Sequence, residues 1–169
     1  KRIENGGDLY TMNNTEYKIP CAWFPPESIK NRIFSIKSDV WAFGVTIWEI
    51  MTYCDHPWPH MNAIDILNKI DLEQKRLNKP YLCSKSFYKL MLKCWSKEPQ
   101  DRPCFKQLKN LIKEINIIEM KSKLSFKQED RLEIEQGDMI TIIDGIAEKY
   151  WWKGQNNRTL QTGHFPRAI

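Results

Sequence analysis

The run from Ser38 to Thr52 reads Ser-Asp-Val-Trp-Ala-Phe-Gly-Val-Thr-Ile-Trp-Glu-Ile-Met-Thr and puts apolar side chains on nearly every face of a helix. A soluble helix of that kind is stable only when buried all round, so the chain must build a helical body about it. Ser38 is placed to cap its N-terminus, and Asp39 sits in the first turn, where a carboxylate complements the helix dipole. The flanking segments suit such a body. Asn62, with Asp65 three residues on, marks a helix start before Ile66, Leu67 and Ile70. Ser84 or Ser86 opens another helix, carrying Phe87, Leu90, Met91, Cys94 and Trp95. After Pro99 and Pro103, an amphipathic stripe runs through Phe105, Leu108, Leu111, Ile112 and Ile115.

The period changes between residues 116 and 122. From 132 to 169, apolar and polar residues alternate through Leu132, Ile134, Met139 to Ile143 and Tyr150 to Lys153. Gly137, Gly145, Gly154 and Gly163 punctuate the runs. Short strands so spaced predict a small β-barrel, with a boundary near Met120. At the other end, residues 1–20 show no period and read as a loop, and the prolines at 20, 25 and 26 exclude regular structure around them.

Charge excludes one class of partner. The 26 Lys and Arg residues are interspersed with 21 Asp and Glu, so the net charge of +5 forms no basic stripe for nucleic acid. The five cysteines are odd in number and lack Cys-x-x-Cys spacing, which predicts reduced thiols rather than a disulfide framework or zinc site. His56 and His60 flank Pro-Trp-Pro without an acid or cysteine ligand set, so no metal is expected. There is no signal peptide and no apolar run of about 18 residues, which predicts a cytoplasmic chain.

Three motifs in order carry a resemblance. They are Pro25-Pro26-Glu27, Ser38-Asp39-Val40-Trp41-Ala42-Phe43-Gly44, and Cys94-Trp95 with Pro99, Arg102 and Pro103. Together they resemble the C-terminal lobe of a protein kinase over residues 1 to about 116. The resemblance implies that Glu27 pairs with Arg102 to tie down the activation segment, and that Asp39 holds the backbone of the catalytic loop. All three are structural rather than chemical. Ile19, Pro20 and Trp23 resemble the substrate platform of tyrosine kinases, and Ala22, where most carry Lys or Arg, is a feature of Ack-type kinases. Tyr10 is by resemblance the autophosphorylation site, with Tyr17 a second candidate.

Leu132-Glu133-Ile134 with Gly137-Asp138, Tyr150-Trp151-Trp152, and Gly163-His164-Phe165-Pro166 resemble an SH3 domain. The resemblance implies a groove for proline-rich peptides formed by Leu124, Phe126, Trp151, His164 and Pro166, with Trp151 dominant and Trp152 on the barrel surface. Arg131 stands where an acid often reads the ligand's basic residue, Glu129, Asp130 and Glu148 are the acids nearby, and Ile169 lies near another common groove Tyr. Ordinary Arg-flanked PxxP specificity is therefore not expected.

A kinase portion followed by SH3 is similar to the Ack-type non-receptor tyrosine kinases. The fold class expected is multi-domain: a mostly α-helical partial kinase lobe over 1–116, then an all-β SH3 barrel over 120–169. The resemblance implies Mg-ATP and protein tyrosine substrates for the full-length kinase. It also implies proline-rich peptides at SH3, a Rho-type small GTPase bound through a segment outside this chain, and recruitment to membranes by partners. A Gly-rich loop, His-Arg-Asp and Asp-Phe-Gly are not found in the 169 residues, and Lys1 falls just past where the last would end. The chain is expected to be an inactive fragment that holds no catalytic residue and no cofactor. The alternative is a noncatalytic SH3 adaptor or decoy.

Overall fold

The computed structural model describes residues 9–11 and 19–169. The chain divides into two compact units, Lys1–Tyr81 with Ser86–Glu114, and Leu82–Lys85 with Ile115–Ile169.

In the first unit, β1 (Tyr10–Thr11) pairs antiparallel with β2 (Ile33–Phe34), Tyr10 lying opposite Phe34. Between them, α1 (Pro26–Asn31) begins on a proline, whose missing N–H falls where a helix needs none. It ends at Arg32, which adopts the left-handed conformation with φ 53°.

The helix α2 spans Ile36–Met51 and starts earlier than the sequence predicts, because Ser35 rather than Ser38 is its cap. The Ser35 hydroxyl accepts from the amides of Lys37 at 3.1 Å and Ser38 at 3.3 Å. Ser38 reciprocates, its Oγ accepting from the Ser35 amide at 3.1 Å. A second serine thus closes a capping box that usually uses Glu or Gln.

The all-round burial expected of α2 is not observed either. Val40, Trp41, Gly44, Val45, Ile47 and Trp48 are buried, but Ile36 and Ile50 are 45% and 66% exposed. These two share a stripe, in steps of three, seven and four, with the exposed Asp39 and Thr46. The packing partners sit on the other flank. Cys94 and Trp95 lie over Gly44, Arg76 and Arg102 over Trp41, and Trp48 Nε1 donates to the Asn78 carbonyl at 2.8 Å.

Asn62 caps α3 (Ala63–Leu67), accepting from Ile64 and Asp65 amides at 2.9 and 3.0 Å. The helix widens into a π-helical turn, Asn68–Leu72, in which both Ile70 and Asp71 are buried. Then come α4 (Lys85–Cys94) and α5 (Phe105–Glu114), the latter begun by the Gln107 side chain accepting from the Cys104 amide at 2.8 Å.

The second unit is a four-stranded antiparallel sheet in the order β3 (Ile118–Lys121), β4 (Met139–Asp144), β5 (Trp151–Asn156), β6 (Thr162–Pro166). Met120, where the sequence changes character, lies inside β3 opposite Ile140. A bridge between Phe126 and Ile134 folds the long loop back on itself. Leu132, Ile134, Ile140, Phe165 and Ile169 form the core. Two placements differ from expectation. Ile169 is buried in this core, 8% exposed, and not beside a surface groove. Trp152 also packs against the core rather than lying on the barrel surface, and its Nε1 donates to the Ile146 carbonyl at 2.9 Å. Room for its ring exists because residue 145 is glycine: a Cβ there would come within 3.1 Å of the indole.

Candidate functional site

The first candidate lies at the end of the proline-rich segment. Cys21–Trp23 forms a single 3-10 turn, in which the Trp23 amide donates to the Pro20 carbonyl at 3.0 Å. Pro20 stays exposed beside the half-buried Ile19. Trp23 is anchored from below, its Nε1 donating to Glu49 Oε2 on α2 at 2.8 Å and its ring meeting His56 edge-on at 5.4 Å. Ile19, Pro20 and Trp23 therefore form one short surface ledge fixed to α2. Tyr10 stands on β1 with half its surface exposed. Tyr17 lies outside the described residues.

On α1, the Glu27 carboxylate receives both terminal nitrogens of Arg102, at 2.6 and 3.0 Å. Arg102 is 1% exposed and its remaining donors are all used: Nε on the Ser96 carbonyl, Nη1 also on Lys37, Nη2 also on Lys97. Its guanidinium stacks 5.0 Å from the Trp41 ring, which Arg76 also approaches at 5.1 Å. Asp39, by contrast, is exposed in the first turn of α2.

Two groups here escape a reading of the sequence. Buried Asp71 receives Lys30 from α1 and Lys97 at 3.1 Å, and these cations, Lys30 foremost, hold its carboxyl below the usual range despite burial. Arg76 donates to the carbonyls of Trp95 and Ile70, both at 2.7 Å. Neither has a sequence signal, since the lysines on Asp71 and the Trp95 carbonyl on Arg76 come from distant segments. Cys94 is no nucleophile: burial pushes its thiol up to about 12, so it stays protonated.

The second candidate is the aromatic groove of the barrel. Trp151 is 37% exposed at the start of β5, with Pro166 opposite it on β6. Phe126 meets the Trp151 ring at 6.2 Å and Tyr150 meets it at 5.1 Å, both edge-on. Edge-on contacts of this kind leave the flat indole face unstacked by other rings. Arg131 lies over that ring, its Cζ 4.3 Å from the centroid. His164 pairs with Lys153 across the strands and shares with Trp151 a cavity of about 120 Å³. Phe126, Trp151, His164 and Pro166 are thus gathered, while Leu124 stands 60% exposed on the incoming chain. Asp138 ties together the far end of β5, away from Trp151. It accepts from Arg158, Asn156 and the Glu135 amide, and these bonds, Arg158 first, hold its carboxyl well below the usual range.

Comparison with known proteins gives two family matches, protein tyrosine and serine/threonine kinase over residues 3–112 and SH3 domain over residues 124–167. The chain is 43% identical to activated Cdc42 kinase Ack of Drosophila melanogaster over 96% of its length, and 43% identical to the mouse non-receptor tyrosine-protein kinase TNK1 over 89%. It is 33% identical to the tyrosine-protein kinase sid-3 of Caenorhabditis elegans over its whole length. It spans 15%, 22% and 14% of these three proteins, respectively.

Proposed function

Because this chain belongs to the protein tyrosine and serine/threonine kinase family and carries an SH3 domain behind its kinase portion, we propose that it is the scaffold-and-recruitment portion of a non-receptor tyrosine kinase. The whole protein transfers the γ-phosphoryl group of Mg-ATP to protein tyrosines. The observation that carries this reading is one unbroken similarity across both units to kinases of this kind, at 43% identity over 96% of the chain.

The family works with ATP and a divalent metal. We assign no step of phosphoryl transfer to the described residues. Their role is positional. The ledge of Ile19, Pro20 and Trp23 supports the substrate's phenol ring, Glu27 and Arg102 clamp the ledge to the lobe, and Asp39 is left facing outward to hold the catalytic loop. Tyr10 accepts a regulatory phosphate, which adds about −1.5 to −2 charge next to the sheet formed with β2. Residues 1–116 and 120–169 are the two functional modules. The groove of the second binds proline-rich peptides, because an extended helix of that type loses little entropy on docking between aromatic ridges. We assign the protein to the cytoplasm, with partners bringing it to membranes; among the described residues no helix is long and apolar enough to cross one. A Rho-type small GTPase, by analogy with the fly relative's name, would bind elsewhere in the whole protein.

Reading the transcript upstream of Lys1 tests the proposal. An in-frame Gly-rich loop, His-Arg-Asp and Asp-Phe-Gly support it. A start codon immediately before Lys1 would make the product a noncatalytic SH3 adaptor or decoy. Incubating the chain with an active full-length relative and Mg-ATP, then mapping peptides, checks Tyr10; an unmodified Tyr10 removes that assignment.

A further inference from the structure

The electrostatic character of the groove points to a ligand class. Arg131 is exposed and lies on the Trp151 ring itself, 4.3 Å from its centroid. The cavity that Trp151 shares with His164 is walled by Lys149 and Lys153, with Asp144 as its one acid and Ile146 completing the lining. Within the cavity two lysines therefore face one carboxylate, Arg131 adds a third cation on the ring outside it, and Glu148 stands beside Lys149 in the neighbouring surface hollow. The loop acids Glu129 and Asp130 do not line that cavity, and Glu133 is engaged with Lys127 at 2.7 Å. A second sign of the same field is His164. Burial first, then Lys153 and Arg131, hold its imidazole below the usual range against the opposing pull of Asp144. A basic ligand residue entering here would meet like charge, and an acidic one would be paired.

We propose that the Trp151 groove selects proline-rich peptides with an acidic residue beside the proline core, its carboxylate received by Arg131, Lys149 and Lys153. This inference rests on the groove being a proline-peptide site. Arg131 serves two states: in the free protein it covers the indole face, and on binding it swings to the ligand carboxylate and uncovers the ring for proline. Selection arises because only an acidic ligand offers the displaced guanidinium a new partner.

The test uses the whole 169-residue chain and three fluorescent peptides that share one Pro-x-x-Pro core, flanked on both sides by Glu, Ser or Arg. The Glu peptide is expected to bind about two- to fivefold tighter than the Ser peptide for each exposed ion pair gained, and the Arg peptide weakest. The gap should shrink as salt rises. In the double variant Arg131→Glu, Lys149→Glu the order should invert; both residues are exposed, and an unchanged melting temperature verifies the fold. Equal affinities, or tightest binding of the Arg peptide, would overturn the selectivity while leaving a proline-peptide groove. Binding of the Glu peptide undiminished by Trp151→Ala would mean charge attraction without the groove and would also overturn it. If none of the three peptides binds or perturbs Trp151, both the selectivity and the groove reading fall.

Discussion

Arg102 and Glu27, 75 residues apart, meet through two parallel hydrogen bonds of 2.6 and 3.0 Å, with the guanidinium wholly buried. A buried charge is stable only when each donor finds an acceptor, and the carbonyls of Lys37, Ser96 and Lys97 complete that set. Removing the carboxylate leaves the cation in place without its counter-charge. Glu27→Ala should therefore destabilise the first unit by about 3 kcal/mol, the lower part of the range for breaking a buried pair, because Glu27 keeps 17% exposure. Arg102→Lys should not be tolerated, since a single ammonium cannot span these acceptors. Hydrogen exchange in α1 and α2 measures both.

Gly44 sets a second limit. A Cβ there would stand 2.7 Å from Trp95 Nε1 and 2.9 Å from Cys94 Cβ, both buried. Alanine gains about 1 kcal/mol of helix propensity over glycine. Overpacking against such neighbours costs about 1–3 kcal/mol and should win. Gly44→Ala is expected to lower the melting temperature, while alanine at the exposed Thr46 of the same helix should not. A rise for Gly44→Ala would show that α2 and α4 separate easily.

Acid should act on both units through particular carboxyls. Asp71 and Asp138 are each held below the usual carboxylate range in the folded protein. A depressed folded value stabilises the fold above the unfolded value of about 3.9 and loses that contribution as pH falls through the folded one. Stability should thus be flat near neutrality and fall steeply below about pH 4. Asp71→Asn should flatten the acid limb reported by the helical unit, and Asp138→Asn that of the barrel. Unfolding curves between neutral and strongly acidic pH decide it, and an unchanged limb in either variant removes that carboxyl from the account.

Trp151 should carry most of the groove's affinity. As an exposed residue at the start of β5 it can be removed without opening the core, which Leu132, Ile134, Ile140, Phe165 and Ile169 fill. Trp151→Ala is expected to weaken proline-peptide binding by about 2 kcal/mol or more. Trp152→Ala should instead reduce stability, since that ring packs on the core. Titration and thermal unfolding of the two variants should give opposite patterns.

The contrast between these neighbours shows where sequence reading stops. A period of two places Trp151 and Trp152 on opposite faces, but which face is inside depends on the barrel closing and on the space left at Gly145. The start of α2 is misread for a different reason: the sequence points to Ser38 as the cap, but Ser35, three residues earlier, is the cap and the two bond reciprocally. Helical segments and the change to strands were legible because periodicity is local. Asp71 was not, because its counter-ions come from α1 and from the loop after α4. The exposed stripe of α2 was hidden for the same reason: apolar pattern reports what should be covered, not which neighbours cover it.

The Arg102 cluster also has a mechanical meaning. Its side chain is bonded to the α1 carboxylate, to the first turn of α2 and to the loop after α4, and its carbonyl receives the Lys37 ammonium. The two bonds to Glu27 leave one rigid, planar group side by side, so a pull on α1 loads them in parallel rather than one after another. The helix α1 should hold its place under tension up to a single threshold, then release as one piece.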